Sequence, residues 1–284
     1  MSGTHTGSHD TCDLTTPTRN HYFYGKLLDT YHFEQETEYF NYKRRLINRL
    51  IHGYGVVCGL DVGEIDDQPC TVRINSGLAI DKHGREIVVP CGTTYQFELP
   101  AAPQSGQLAQ PPAPAREAKK EPPEHDEWPY HLLLCYHECL ADPAPVHASD
   151  CKGQEPCQPS TIQERFKITA EPGHVESPCS LLQIPDVIRS RISQHARRPG
   201  KGGGIDYQFC YEMLVEFISR DCPSCADDPC IPLANLTVSR DPQSGECCVK
   251  DIDITVRPIV YGNDLLFQLL LSLMFEPPHY QNVK

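Results

Sequence analysis

Positive charge is in deficit in this chain: 25 lysines and arginines stand against 38 aspartates and glutamates, a formal net charge of −13 at pH 7. Such a field repels a phosphate backbone unless a local basic face overrides it, which excludes nucleic acid as the main partner. Long apolar runs are missing as well. With 22% charged residues and a mean hydropathy of −0.43, the composition is that of a water-soluble globular protein and excludes a multispan membrane protein. The opening residues MSGTHTGSHDTCDLTTPTRN carry neither a basic n-region nor an apolar h-region, so the chain is expected to be made and kept in the cytoplasm. HExxH, GxSxG, GxxxxGK[ST] and EF-hand patterns are absent, which removes the recognisable zincin, serine-hydrolase, P-loop and calcium chemistries.

What is present is length enough, at 284 residues, for one large domain or two modest ones with an apolar core. Residues 1–20 are polar and aperiodic, and read as a flexible arm. Between Tyr31 and His52, Phe33, Phe40, Ile47, Leu50 and Ile51 recur at intervals of seven, three and four, the signature of an amphipathic helix. Asp29 or Thr30 can cap its start and Gly53 or Gly55 its end. The period then drops to two. Val56–Val62, Thr71–Asn75, the hairpin Leu78–Ile80 and Glu86–Val89 around Asp81-Lys-His-Gly84, and Thr93–Leu99 read as strands of a small antiparallel unit, one face of which the helix is expected to cover. Gly53-Tyr-Gly-Val-Val-Cys-Gly59 runs from helix to strand, the reverse of a dinucleotide loop, and reads as a packing turn.

Residues 101–129 hold seven prolines and read as a linker or long surface loop. Beyond it, His131–Tyr136, Ile162–Thr169, Leu233–Ser239 and Cys248–Val256 are strand-like, with a loop over 142–160, a short helix over 185–198, and 206–218 ambiguous between helix and strand. Leu265–Phe275 has no polar face. Its eleven residues, at about 1.5 Å each, fall well short of the roughly 20 that span a bilayer, so the segment must be buried in protein, either in the core or against another subunit. The expected class is therefore α+β and β-rich, with a flexible arm (1–20), a helix plus antiparallel β unit (21–100), a proline-rich linker (101–129), and a second β-rich region with cysteine-rich loops and a C-terminal apolar helix (130–284).

Fifteen cysteines are many for a cytosolic chain. Most, Cys58 and Cys135 among them, read as small buried hydrophobes. Cys222-Pro-Ser-Cys225 with Cys230 is the best metal candidate, because CxxC can fold two thiolates onto one ion. Three outcomes stay open there: a structural zinc with further ligands from Cys247-Cys248 or Cys151 and Cys157, disulfides formed after lysis or release, or free thiols. A closed thiolate site would leave no open coordination position for catalysis. The clustered basic stretch Lys43-Arg44-Arg45 with Arg49 reads as a solvated face paired with Glu34, Glu36 and Glu38, or as a contact for an acidic partner surface.

Three stretches carry a resemblance: Tyr22-Phe-Tyr-Gly-Lys-Leu-Leu28; Phe33…Tyr39-Phe-Asn41…Lys43-Arg-Arg-Leu46…His52-Gly-Tyr-Gly-Val-Val-Cys-Gly-Leu60; and Ser76-Gly-Leu-Ala-Ile-Asp81…Gly84-Arg-Glu-Ile-Val-Val-Pro90. Over about residues 20–91 the chain resembles a family of bacterial proteins encoded with contractile, phage-tail-like injection systems and associated with their baseplates. The resemblance implies a structural, non-enzymatic role beside baseplate, wedge, spike or sheath subunits of a sixfold assembly, in a cytoplasmically assembled particle, with no catalytic residue, no required cofactor and no direct membrane insertion. Tyr22, Phe23 and Tyr24, with Leu266, Leu270 and Phe275 of the C-terminal apolar segment, are the expected partner contacts, since aromatic and aliphatic anchors deliver large burial. The alternatives are a fibre-adaptor or envelope-binding module of the same particle, and a zinc or thiol-redox enzyme built on Cys222 and Cys225.

Overall fold

The computed structural model describes residues 14–65, 68–98, 127–145, 157–178, 224–240, 246–263 and 265–268, together with isolated positions between 208 and 222. The fold is mixed α and β, rich in strands, with the helix first. Helix α1 spans Thr30–Ile47 and continues into a π-helical turn, Asn48–His52. Asp29 caps it: its side chain accepts the His32 N–H while His32 reaches back to the Asp29 N–H, a reciprocal capping box. Those hydrogen bonds, led by the His32 side chain, hold the Asp29 carboxyl below its ordinary range.

Among the described residues ten strands follow: β1 (Gly55–Gly59), β2 (Val62–Glu64), β3 (Thr71–Ile74), β4 (Gly77–Ile80), β5 (Glu86–Val89), β6 (Thr93–Gln96), β7 (Glu127–Pro145), β8 (Cys157–Pro172), β9 (Ile231–Arg240) and β10 (Cys247–Asp253). They form three antiparallel sheets, in the orders β1-β4-β5, β2-β3-β6 and β10-β9-β7-β8. One core joins them, with Leu60, Val72, Ile74 and Ile87 from the first half packed with Leu132, Leu134, Leu233 and Leu236 from the second. The face of the small β unit is thus covered by the β7–β9 layer. Helix α1, expected to cover it, contributes no buried residue.

The run expected as one strand over 56–62 is two. At Leu60 the backbone turns left-handed (φ 56°), handing the chain from one sheet to another. That conformation costs about 1–2 kcal/mol, and complete burial of the Leu60 side chain, worth about 1.5–3 kcal/mol, offsets it. Both ends of the expected loop over 142–160 are ladder, because β7 and β8 stay in register out to Pro145↔Cys157, and residues 146–156 lie outside the described residues. Glu127–Pro129, placed by sequence in the linker, already pair with Thr237–Ser239 of β9. Strand β10 ends at Asp253, whose carboxylate accepts the Thr255 N–H (2.9 Å) and hydroxyl (2.7 Å) and so starts a short 3-10 turn, Ile254–Val256. Residues 208, 209, 211, 212 and 215 are helical, which settles the ambiguous segment where it is described. The expected helix over 185–198 lies outside the described residues.

The β4–β5 turn is the junction of the fold. Asp81 is fully buried; one carboxylate oxygen accepts the N–H groups of His83 (2.9 Å) and Arg85 (2.8 Å), and the other accepts Arg85 Nε (2.7 Å). The Arg85 guanidinium lies 4.6 Å from the centre of the Tyr136 ring on β7. From the same turn, Lys82 Nζ donates to the Asp228 carbonyl (3.0 Å), and His83 Nε2 contacts the Ala226 carbonyl (2.9 Å). On its other side, Asn48 donates to the Gly84 carbonyl (2.9 Å) and to Glu86 (2.8 Å), and Arg44 pairs with Glu86 (3.3 Å). Gly84 sits at φ 84°, where a Cβ would stand 2.2 Å from the Arg45 carbonyl oxygen, so only glycine lets the helix end come this close.

Removing the Asp81 carboxylate leaves a half-buried guanidinium and two turn N–H groups without their acceptor. Asp81→Ala should lower stability by about 3–5 kcal/mol, read from the urea midpoint, whereas Glu98→Ala on the exposed surface should change it by less than about 0.5 kcal/mol.

Candidate interaction surface and cysteine sites

The segment that precedes α1 folds back along it. Thr15 exchanges hydrogen bonds with the Tyr42 hydroxyl (3.0 Å each way), the Tyr22 hydroxyl donates to Glu36, and Lys26 Nζ donates to Asn20 and to the His21 carbonyl (3.0 Å). Part of the expected arm, residues 14–20, is therefore docked on the helix. Bonding to the Glu36 carboxylate raises the Tyr22 phenol above its ordinary value. Lys26 Nζ stands 5.9 Å from the Tyr22 ring centre, closing a local turn that leaves Phe23 and Tyr24 facing outward.

All three aromatic residues expected as partner contacts, Tyr22, Phe23 and Tyr24, are exposed, and so is Leu266. Leu270 and Phe275 lie outside the described residues. Residues 265–268 are helical, yet Leu265, Leu266 and Phe267 are all exposed, so the described part of this segment is not core. Both apolar ends of the chain share one base. The Val56 N–H donates to the Pro258 carbonyl (2.9 Å) and the Val260 N–H to the Val56 carbonyl (3.0 Å), which sets the C-terminal segment beside the strand that leaves the helix. Gly55, at φ 136°, makes this approach possible, because a Cβ there would lie 2.4 Å from the Pro258 carbonyl oxygen. The glycine-rich loop is thus a place of backbone-to-backbone packing. Among the described residues no helix is long and apolar enough to cross a membrane.

A second exposed feature went unseen in the sequence. Strand β9 accompanies β7 only as far as Leu134, so beyond that point, among the described residues, β7 and β8 continue as a two-stranded ribbon for about 35 Å at about 3.4 Å per residue. Its cross-strand pair Leu140 and Ile162 is exposed. The Tyr136 phenol at its root is pushed well above its ordinary value, by burial first and then by the nearby Glu138 carboxylate, to which it donates at 2.8 Å.

The three candidate zinc ligands are not brought together as thiolates. Cys230 is disulfide-bonded to Cys135, Cys225 is disulfide-bonded, and Cys222 is a free, exposed thiol. A sulfur in a disulfide lacks the negative charge that makes a zinc ligand. Among the described residues no cluster of histidine, cysteine and carboxylate side chains is arranged for a metal. The reading of Cys58 and Cys135 as buried hydrophobes is also corrected: Cys58 is exposed, and Cys135 is crosslinked. A second bond, Cys70–Cys247, ties the β2-β3-β6 sheet to β10 across 177 residues of sequence, while Cys135–Cys230 spans 95. With Cα separations of 5.1 and 4.5 Å, both pairs sit where a bridge needs no backbone movement. The basic stretch differs from expectation in its partners, since Arg44 pairs with Glu86 and Glu36 takes the Tyr22 hydroxyl.

The chain matches no known protein-family model and no curated protein.

Closing loops this long removes much unfolded-state entropy, so Cys70→Ser or Cys135→Ser should each cost about 2–5 kcal/mol under non-reducing conditions. Urea midpoints with and without dithiothreitol measure this. Each single variant should lose most of its remaining sensitivity to the reductant at that pair, and non-reduced peptide mapping should recover the Cys70–Cys247 link from the parent chain.

Proposed function

We propose that this protein is a non-enzymatic structural component of the baseplate region of a contractile, phage-tail-like injection system, bracing or connecting baseplate, spike or sheath subunits. The observation that carries the reading is the bare apolar surface of the 22–54 segment, where α1 buries no side chain although Phe33, Phe40, Ile47 and Ile51 punctuate it. Isolated exposed apolar residues are ordinary, but a contiguous set of this extent on one helix and its flanking turn marks a surface built to be covered. The same stretch carries the motifs that resemble the injection-system family. The exposed Leu265–Phe267 segment rises from the same base, so one covering subunit can bury both chain ends together. Crosslinks between sheets, as at Cys70–Cys247, and within one, as at Cys135–Cys230, suit a part that is assembled in the cytoplasm and then works outside the cell, where its thiols oxidise.

The projecting β7–β8 ribbon supports a second reading, a fibre-adaptor or envelope-binding module of the same particle, because an open two-stranded ribbon offers unpaired edges for strand addition. Deleting residues 20–54 should abolish incorporation of the chain into purified particles, as followed by immunoblot of sedimented material. Normal incorporation of that truncation defeats the bracing role. Removal of the ribbon, residues 137–163, should leave incorporation intact; retention of the particle on envelope glycans that disappears with the ribbon favours the adaptor reading instead.

A further inference from the structure

The outward face of α1 has a regular pattern. Thr30, Phe33, Thr37, Phe40, Arg44 and Ile47 succeed one another at alternating steps of three and four, a heptad seam, and every one of them is exposed. Phe33, Phe40 and Ile47 are 58%, 62% and 45% exposed, and Ile51 in the following π turn is 73% exposed. The chain touches its own helix at the back of this row, through Thr15 on Tyr42, at one flank, through Tyr22 on Glu36, and at the other flank near the helix end, through Asn48 on the Gly84 turn and Arg44 on Glu86. One position per heptad is apolar, that of Phe33, Phe40 and Ile47, while Thr30, Thr37 and Arg44 hold the other; a row this narrow is less than the face a helix turns toward a globular core and suits contact with a single helix.

Charge along the helix selects the occupant. Its first half bears Glu34, Glu36 and Glu38, and its second half Lys43, Arg44 and Arg45. We infer that α1 docks on α1 of a second copy of this chain, antiparallel, about a two-fold axis through Phe40. In that register Phe33 meets Ile47 of the second copy, Phe40 meets its own equivalent, and Glu36 and Lys43, which flank the seam on one side, face Lys43 and Glu36 across it. Each acidic half meets a basic half. Parallel pairing offers no such exchange, since Glu36 and Lys43 would then face Asn41 and Asn48. It would also place two bodies of net charge −13 side by side at the same end, whereas antiparallel pairing sets them at opposite ends. The contact is isologous, the same patch on both copies. It holds whether or not the chain belongs to a baseplate.

The test uses the full chain in sedimentation equilibrium, over protein concentrations from about 1 μM to about 1 mM. A concentration-dependent dimer is expected. Phe40→Glu buries a carboxylate on the two-fold axis and should weaken association by about a hundredfold or more, with an unchanged far-UV spectrum, while Val88→Glu on the exposed face of β5 should dimerise as the parent does. Glu36→Lys and Lys43→Glu chains should each pair poorly with themselves, and an equimolar mixture of the two should recover the dimer. A parent that stays monomeric throughout, a dimer indifferent to Phe40→Glu, or charge variants whose mixture associates no better than either alone would each overturn the inference.

Discussion

A single buried carboxylate organises this molecule. Asp81 lies in the turn between two short strands, where its oxygens accept two backbone N–H groups and the Arg85 side chain. With those three donors, its removal from water is balanced by hydrogen bonds to a charged acceptor, the strong kind. The consequences spread because the turn faces three ways. Arg85, oriented by Asp81, lies against Tyr136 of the large sheet; Lys82 and His83 reach the 226–228 loop; and Gly84 and Glu86 receive the end of α1. Helix, the β1-β4-β5 sheet and the large sheet are therefore set relative to one another by a turn of five residues, in a chain whose α1 buries no residue of its own.

On the far side of the core, polar groups do comparable work. Asn235 on β9 is buried, and its amide accepts the Val175 N–H (3.0 Å) and donates to the Val175 carbonyl (2.9 Å), as a neighbouring strand would. His131 and His174 contact the carbonyls of Gly173 (2.9 Å) and Leu236 (3.1 Å). Together they pin residues 173–177 over the large sheet. Arg257 beyond the 3-10 turn donates to the Leu233 carbonyl (3.2 Å), and burial lowers its proton affinity below the usual guanidinium value. The apolar core supplies the bulk of the burial, but side-chain amides, imidazoles and guanidines decide which backbone lies on which.

Much of this is legible in the residues, and the exceptions have physical causes. The hairpin at Asp81–Gly84, the strands flanking it and the cap at Asp29 follow from local chemistry, and all are present. The helix is legible as a helix, but amphipathicity reports that an apolar stripe exists, not what lies against it. The seven-residue interval of Phe33, Phe40 and Ile47 is visible in the sequence, but nothing in that interval tells that these side chains stay exposed instead of meeting the chain's own sheet. Prolines 143, 145 and 159 disfavour a strand, yet Pro143 and Pro159 face each other in a ribbon that, among the described residues, pairs with no third strand, where a missing N–H costs little. The cysteine pairs could not be read, because pairing follows three-dimensional proximity, and Cys70 and Cys247 are brought together only once the two halves share a core.

Strand β7 runs without interruption from Glu127, deep beside β9, to Pro145 at the outer reach of the ribbon. A pull applied at the ribbon along its length would not peel the sheet open one rung at a time. It would load the rungs between β7 and β9 in shear all at once, with the Cys135–Cys230 bond sharing the load between β7 and the start of β9. Tension arriving at the periphery would thus be delivered straight to the most tightly packed layer of the protein, making the ribbon a stiff tie-rod and not a tether.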